Sequence, residues 1–146
     1  MAHYSTDDKQ TMLLAAQARN KSRLQELINF AKLSGFTKLG IANCRGVQPY
    51  ADKLRDLLLE AGFEVFSISC KDSGLNGAEI DEVLSGPSCD PVSQAEYLNA
   101  CQTELNIEVG LCLGHGLLFS SHSHALVTTF LVKDFATKHK TVENLE

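Results

Sequence analysis

Three apolar runs that each carry a cysteine at or next to their carboxyl end constrain this chain more than any other feature. Residues 38–44 read K-L-G-I-A-N-C, residues 63–70 read F-E-V-F-S-I-S-C, and residues 107–113 read I-E-V-G-L-C-L. Short, nearly continuous apolar runs of this kind suit strands covered on both faces, as in a parallel sheet. The segments between them carry helical signals. Pro49 suits the first turn of a helix running to Ala61, with Leu54, Leu57 and Leu58 on one face, and Gly62 stops it. Asp90 and Pro91 suit N-cap and N1 of a second helix, expected to reach about Glu104 with Ala95, Leu98 and Cys101 on its buried side.

The remaining segments extend the alternation. Residues 6–33 read as one long helix, from Met12, Leu13, Ala16, Leu24, Leu27, Ile28 and Ala31 at three- and four-residue spacing. Ser5 or Thr6 would cap it, Asp7 and Asp8 would sit in its positive first turn, Asn20 would mark a break and Gly35 would end it. Residues 71–88 carry S-G, N-G and G-P breakers with a short helical patch at 78–84. Residues 114–121 read as a turn into a short helix, and residues 125–132 (A-L-V-T-T-F-L-V) as a β-branched fourth strand. Residues 1–5 and 135–146 read as frayed tails. The expected fold is a single small α/β domain over residues 1–146, doubly wound and flavodoxin-like, with a parallel sheet of order 2-1-3-4 and a long N-terminal helix.

That topology turns the cysteines into a site. Cys44, Cys70 and Cys112 would end neighbouring strands, which lie about 4.8 Å apart. Cys89, just before a helix N-cap, falls on the same edge, and so does His115. Ligands of open α/β sheets bind there, and helix N-termini favour the thiolate, the form that ligates metal or attacks electrophiles. Cysteine is also a small hydrophobe that packs well, and Cys101 reads as packing. His122 and His124 read as solvated, and Lys133–Asp134 as either a surface ion pair or a part of the functional edge. Arg45 and Lys71, each following a strand-end cysteine, would hold an anion, balance thiolate charge or be solvated.

Bulk properties narrow the class. The net charge of -5, with no basic run, argues against a nucleic-acid surface. The N-terminal residues lack the apolar core of a signal peptide, and no run reaches the roughly 18 apolar residues of a membrane span. A cytoplasmic location is therefore expected, where five cysteines serve as thiols, ligands or catalytic groups before disulfides.

The blocks I-A-N-C, S-I-S-C-K, C-D-P-V-S-Q-A-E-Y-L-N, L-N-I-E-V-G-L-C-L-G-H-G and V-T-T-F-L-V-K-D occur in order between residues 27 and 139. Together they resemble a prokaryotic family of uncharacterised, predicted metal-binding proteins, domain of unknown function number eighteen forty-seven. The resemblance implies metal ligands at Cys44, Cys70, Cys89, Cys112 and His115, but no reaction. The chain departs from the family pattern in four places. It has no cysteine before Cys44, where the family carries a cluster. Gly116 stands where the family has aspartate after the histidine, and the tail reads K-D-F and then K-H-K-T in place of K-D-R and G-H-N-P. Three functions follow as expectations. The first is a cysteine-rich zinc or iron–sulfur site. The second is a metal-free thiol or sulfur-transfer enzyme using the same cysteines with His115 as acid or base. The third is a small-molecule binding or interaction module with structural cysteines.

Overall fold

The computed structural model describes residues 3–19 and 21–146, and the chain divides into two compact units, Met1–Thr37 and Lys38–Glu146. In the first unit, the expected long helix is two helices, α1 (Thr6–Ala18) and α2 (Arg23–Leu33). Arg19 leaves helical geometry, at φ -68 and ψ 174, so α1 cannot continue through it. Ser22 then caps α2 afresh by accepting from the Gln25 N–H. Asn20, the expected break, lies outside the described residues. Ser5 and Asp8 form the reciprocal capping box at the start of α1. Met12 and Leu13, expected on a buried stripe, are 56% and 60% exposed.

The second unit is the predicted α/β fold. Strands β1 (Lys38–Asn43), β2 (Glu64–Ser69), β3 (Leu105–Val109) and β4 (Leu126–Leu131) form one parallel sheet of order β2-β1-β3-β4. Helix α3 (Gln48–Glu60) connects β1 to β2, α4 (Pro91–Ala100) connects β2 to β3, and α5 (Leu113–His122) connects β3 to β4. The first crossover and the later two run in opposite directions across the sheet. Right-handed connections therefore put α3 on one face and α4 and α5 on the other. The core under α4 and α5 joins Ala42, Ala95, Leu98, Leu111 and Phe119, with Phe66, Ile68 and Val127 packed against it.

The irregular connection after β2 holds two 3₁₀ turns, Gly77–Glu79 and Glu82–Leu84, where a short helical patch was expected. The third strand is shorter than its apolar run implies. It ends at Val109 because Gly110 turns the chain at φ +65. Cys112 is therefore the N-cap residue of α5 and not a strand end. Helix α4 stops at Ala100, so Cys101 is its C-cap and half-exposed, not an interior core residue.

One close approach fixes how α4 lies on the sheet. A Cβ at Gly40 would come within 2.2 Å of Asn106 Oδ1 and 2.9 Å of Leu98 Cδ1. Asn106 is fully buried and held by Thr103 and Ser123, so it cannot swing away. Gly40→Ala is expected to cost about 1–3 kcal/mol through overpacking. Thermal unfolding should then fall by roughly 5–10 °C. An unchanged melting temperature would show that Asn106 yields.

Candidate functional site

The sheet delivers its cysteines through backbone bonds that extend the ladder past the strand ends. The Cys44 N–H donates to Val109 O at 3.1 Å, and the Cys70 N–H donates to Asn43 O at 2.9 Å. Asn43 pairs with Ser69 in the register, so Cys44 and Cys70 come next to each other. The Asp90 N–H then donates to Cys70 O at 2.7 Å, which pins the start of α4, and Cys89 with it, beside Cys70. Asp90 caps α4 by accepting from the Ser93 N–H. Buried Gln94 closes the floor by donating to Asn43 O and Ile68 O, the carbonyls at the ends of β1 and β2.

Four sulfurs meet on this frame, and a cation joins them. Lys133, just past β4, donates its ammonium to Cys44 Sγ at 3.1 Å and to Cys112 Sγ at 3.0 Å. Cys44 Sγ also accepts from the Gly46 N–H, and Cys70 Sγ from the Arg45 N–H, each at 3.3 Å. Cys70 is within side-chain hydrogen-bonding reach of both Cys44 and Cys89. Cys70 is buried, Cys44 and Cys89 are half-buried, and Cys112 is exposed. The cluster thus runs from the interior to the surface.

Charge divides the thiols by role. Burial pushes the Cys44 thiol up, but the Lys133 hydrogen bond, the Gly46 N–H, the Lys133 charge and Cys70 together outweigh it and hold the thiol below its ordinary value. Cys89 goes the other way, because burial is joined by the hydrogen bond and charge of Cys70 and the charge of Cys112. It is pushed up to about 11 despite Lys71. Burial pulls Lys133 down, and the two sulfurs it touches more than restore it, so it stays cationic. Cys44 is thus shifted toward the thiolate, while Cys89, across Cys70 from it, keeps its proton at neutral pH.

The remaining sequence candidates fall in different places. His115 lies in the first turn of α5, half-buried, and no hydrogen bond among the described residues ties its ring to the cysteines. His122 and His124 are exposed. Arg45 pairs with Asp72 at 3.3 Å on the surface, and Lys71 faces Cys89 electrostatically. Lys133 and Asp134 do not pair with each other. Lys133 goes to the thiols, and the Asp134 carboxylate accepts from Asn144. The Asp134 N–H donates to His139 Nδ1, and the His139 ring packs against Phe135 and Tyr50. Phe135 also lies under the Lys133 ammonium, 5.6 Å from ring centroid to Nζ. Lys133 is the part of the site that sequence spacing undervalued.

Sulfur donors are the right kind for zinc or an iron–sulfur cluster. Their arrangement fits less well. Among the described residues, no three His, Cys, Asp or Glu side chains are disposed to hold a metal ion, and Lys133 occupies the position between two of the sulfurs.

A family model described as "Protein of unknown function (DUF1847)" matches residues 1–130. The chain belongs to the DUF1847 family. A relative in Methanocaldococcus jannaschii, "Uncharacterized protein MJ0455", is 43% identical over 126 residues, covering 83% of this chain and 65% of its own length. The chain thus spans just under two thirds of that relative. No solved structure matches. No helix among the described residues is long and apolar enough to cross a membrane.

Proposed function

We propose that the DUF1847 chain carries a thiol–disulfide centre in which Cys44 attacks and Cys70 resolves. The observation that carries this is the Cys44 sulfur itself. It takes the Lys133 ammonium at 3.1 Å and the Gly46 N–H at 3.3 Å, with Cys70 in hydrogen-bonding reach. Stabilised thiolates with a neighbouring thiol are the working parts of disulfide exchange. The Cys44 thiolate attacks one sulfur of a small-molecule disulfide. The substrate S–S bond breaks, one thiolate leaves and takes up a proton, and a mixed disulfide forms on Cys44. Cys70, giving its proton to solvent, attacks the Cys44 sulfur and expels the second thiol. The protein ends with a Cys44–Cys70 disulfide, the substrate ends as two thiols, and a dithiol reductant restores the start.

The linkage is sterically reachable. Neighbouring strands lie about 4.8 Å apart, inside the roughly 4.4–6.8 Å Cα spacing of disulfides. Treating the reduced protein with a small disulfide without air should release two thiols per chain and yield a Cys44–Cys70 peptide pair in the digest. Release of no thiol, or linkage only to Cys101, would sink the proposal.

A second reading is a soft-metal site, supported by the sulfur-rich donor set and by the expectation the resemblance raised. Cys44, Cys70 and Cys112 would be the primary ligands, with Cys89 or His115 as the fourth, and Lys133 would have to withdraw. The bound ion would supply Lewis acidity or, as an iron–sulfur cluster, electrons. The two readings separate on metal and acid-labile sulfide content after anaerobic purification. About one zinc per chain, or iron with sulfide, would replace the first reading with the second.

A further inference from the structure

A cleft of about 420 Å³ opens between α5 and β4, beside the thiols. Leu111, Leu113, Leu117, Val127 and Val132 make its apolar wall, and Ser120 and Thr129 add hydroxyls. Two charged side chains line it, Glu108 and Lys133. Lys133 is the residue that bridges Cys44 and Cys112, so the cleft shares that ammonium with the thiol centre.

Glu108 lies on β3 opposite Ala42, on the face that α4 and α5 cover. A carboxylate there is costly unless a partner satisfies it. Its hydrogen-bonding partner is the Thr129 hydroxyl at 3.2 Å, and no cation pairs with it among the described residues. Burial accordingly lifts its carboxyl above the ordinary range, and the Thr129 bond only partly offsets this. The helix makes room for the group. A Cβ on Gly116 would come within 2.6 Å of Oε1 and 3.1 Å of Cδ, so glycine lets the carboxylate lie close against the helix. A half-buried strand glutamate with no ion-pair partner among the described residues, facing a cleft beside a glycine, suits a cationic ligand.

We infer that this cleft is the substrate pocket of the thiol centre, and that it takes a small disulfide whose apolar arm ends in an ammonium group held by Glu108. The inference rests on the thiol reading. The dimensions set the arm. Cys112 caps α5 and the Gly116 N–H donates to Cys112 O, one helical turn on, which is about 6 Å of rise. An arm of about four carbons spans that distance. The ammonium sits at Glu108, the chain lies against Leu113, Leu117 and Val127, and the sulfur reaches the rim near Lys133. The thiolate that leaves is then stabilised by the Lys133 ammonium.

The test compares bis(4-aminobutyl) disulfide with bis(4-hydroxybutyl) disulfide as oxidants of the reduced protein, in the wild type and in Glu108→Gln. The acidic chain attracts any amine weakly, so the ratio of the two rates is read at physiological ionic strength. The wild type should favour the amine by about tenfold, the effect of one ion pair of about 1.4 kcal/mol. Glu108→Gln should bring the ratio close to one. Equal wild-type rates, or a preference that survives Glu108→Gln, would overturn the pocket assignment and leave the thiol reading standing. Should Glu108→Gln fail to fold, the salt dependence decides: a wild-type preference held by half-buried Glu108 persists at high salt, and one that vanishes there comes from net charge and overturns the pocket assignment. Oxidation by neither disulfide would overturn the thiol reading, and this inference with it.

Discussion

Cys44→Ser should abolish disulfide exchange, lowering the rate of thiol release by at least about a thousandfold, the scale on which losing a covalent nucleophile acts. A serine hydroxyl cannot ionise under the same Lys133 and Gly46 contacts. Cys70→Ser should behave differently. It leaves the Cys44 thiolate and its ammonium in place but removes the group that resolves the mixed disulfide. Mass spectrometry should then find Cys44 carrying one substrate thiol, stable until a reductant is added. Stability should change little in Cys44→Ser, whereas Cys70→Ser buries a hydroxyl and should cost about 1–3 kcal/mol. Cys44 is half-buried, and serine at 44 can still accept from the Gly46 N–H that Cys44 now accepts from. Exchange that survives Cys44→Ser would point to Cys112, the exposed sulfur on the other side of Lys133.

Much of this arrangement was readable in the chain. Continuous apolar runs separated by amphipathic helices fix a parallel sheet, and the observed order β2-β1-β3-β4 is the one those signals imply. Cysteine positions at the ends of β1 and β2 followed directly. Where the reading failed, a local backbone effect won. Val-Gly-Leu-Cys-Leu looks like strand, but Gly110 takes φ +65 and ends β3 early. A Cβ on Gly110 would come within 2.6 Å of Val47 Cγ2 and 3.3 Å of Lys133 Cβ. Gly110→Ala is therefore expected to destabilise the protein by about 1–3 kcal/mol. It should also displace Lys133, visible as slower thiol modification of the folded variant at neutral pH. The first-unit helix broke where Arg19 turned extended, in a stretch whose apolar spacing was weak enough to leave Met12 and Leu13 in solvent.

Two other residues were hidden for different reasons. Lys133 lies 89 residues from Cys44, and no local pattern links them. Only the sheet does, by placing the end of β4 beside the start of α5. Glu108 left a signal, a single acid inside I-E-V. A charged residue in a strand covered on both faces needs either a partner or a ligand, and the sequence alone cannot separate the two. The fold is thus encoded by repeated, redundant apolar positions. The site depends on single polar residues whose meaning appears only when distant strand ends meet.

Lys133→Met tests how the thiols are activated. Methionine keeps much of the aliphatic stem that packs near Phe135 but removes the ammonium that Cys44 and Cys112 share. The Cys44 thiol is held below its ordinary value against a burial effect that pushes it up, so losing Lys133 lets burial dominate and its pKa rises. Alkylation of Cys44 by iodoacetamide needs the thiolate, so the pH at half-maximal rate moves up, and the rate at neutral pH falls. A charge-assisted hydrogen bond of about 1.5–3 kcal/mol, discounted for partial exposure to about 1 kcal/mol, corresponds to a roughly fivefold slower reaction. A depressed thiol pKa stabilises the fold above the ordinary thiol range and stops doing so as pH falls through the folded value. Lys133→Met should therefore flatten that gain on the alkaline side. Lys133→Arg should retain most of the reactivity, because it restores a cation. A rate profile for Lys133→Met that overlays the wild type would show that Gly46 and Cys70 suffice to hold the thiolate.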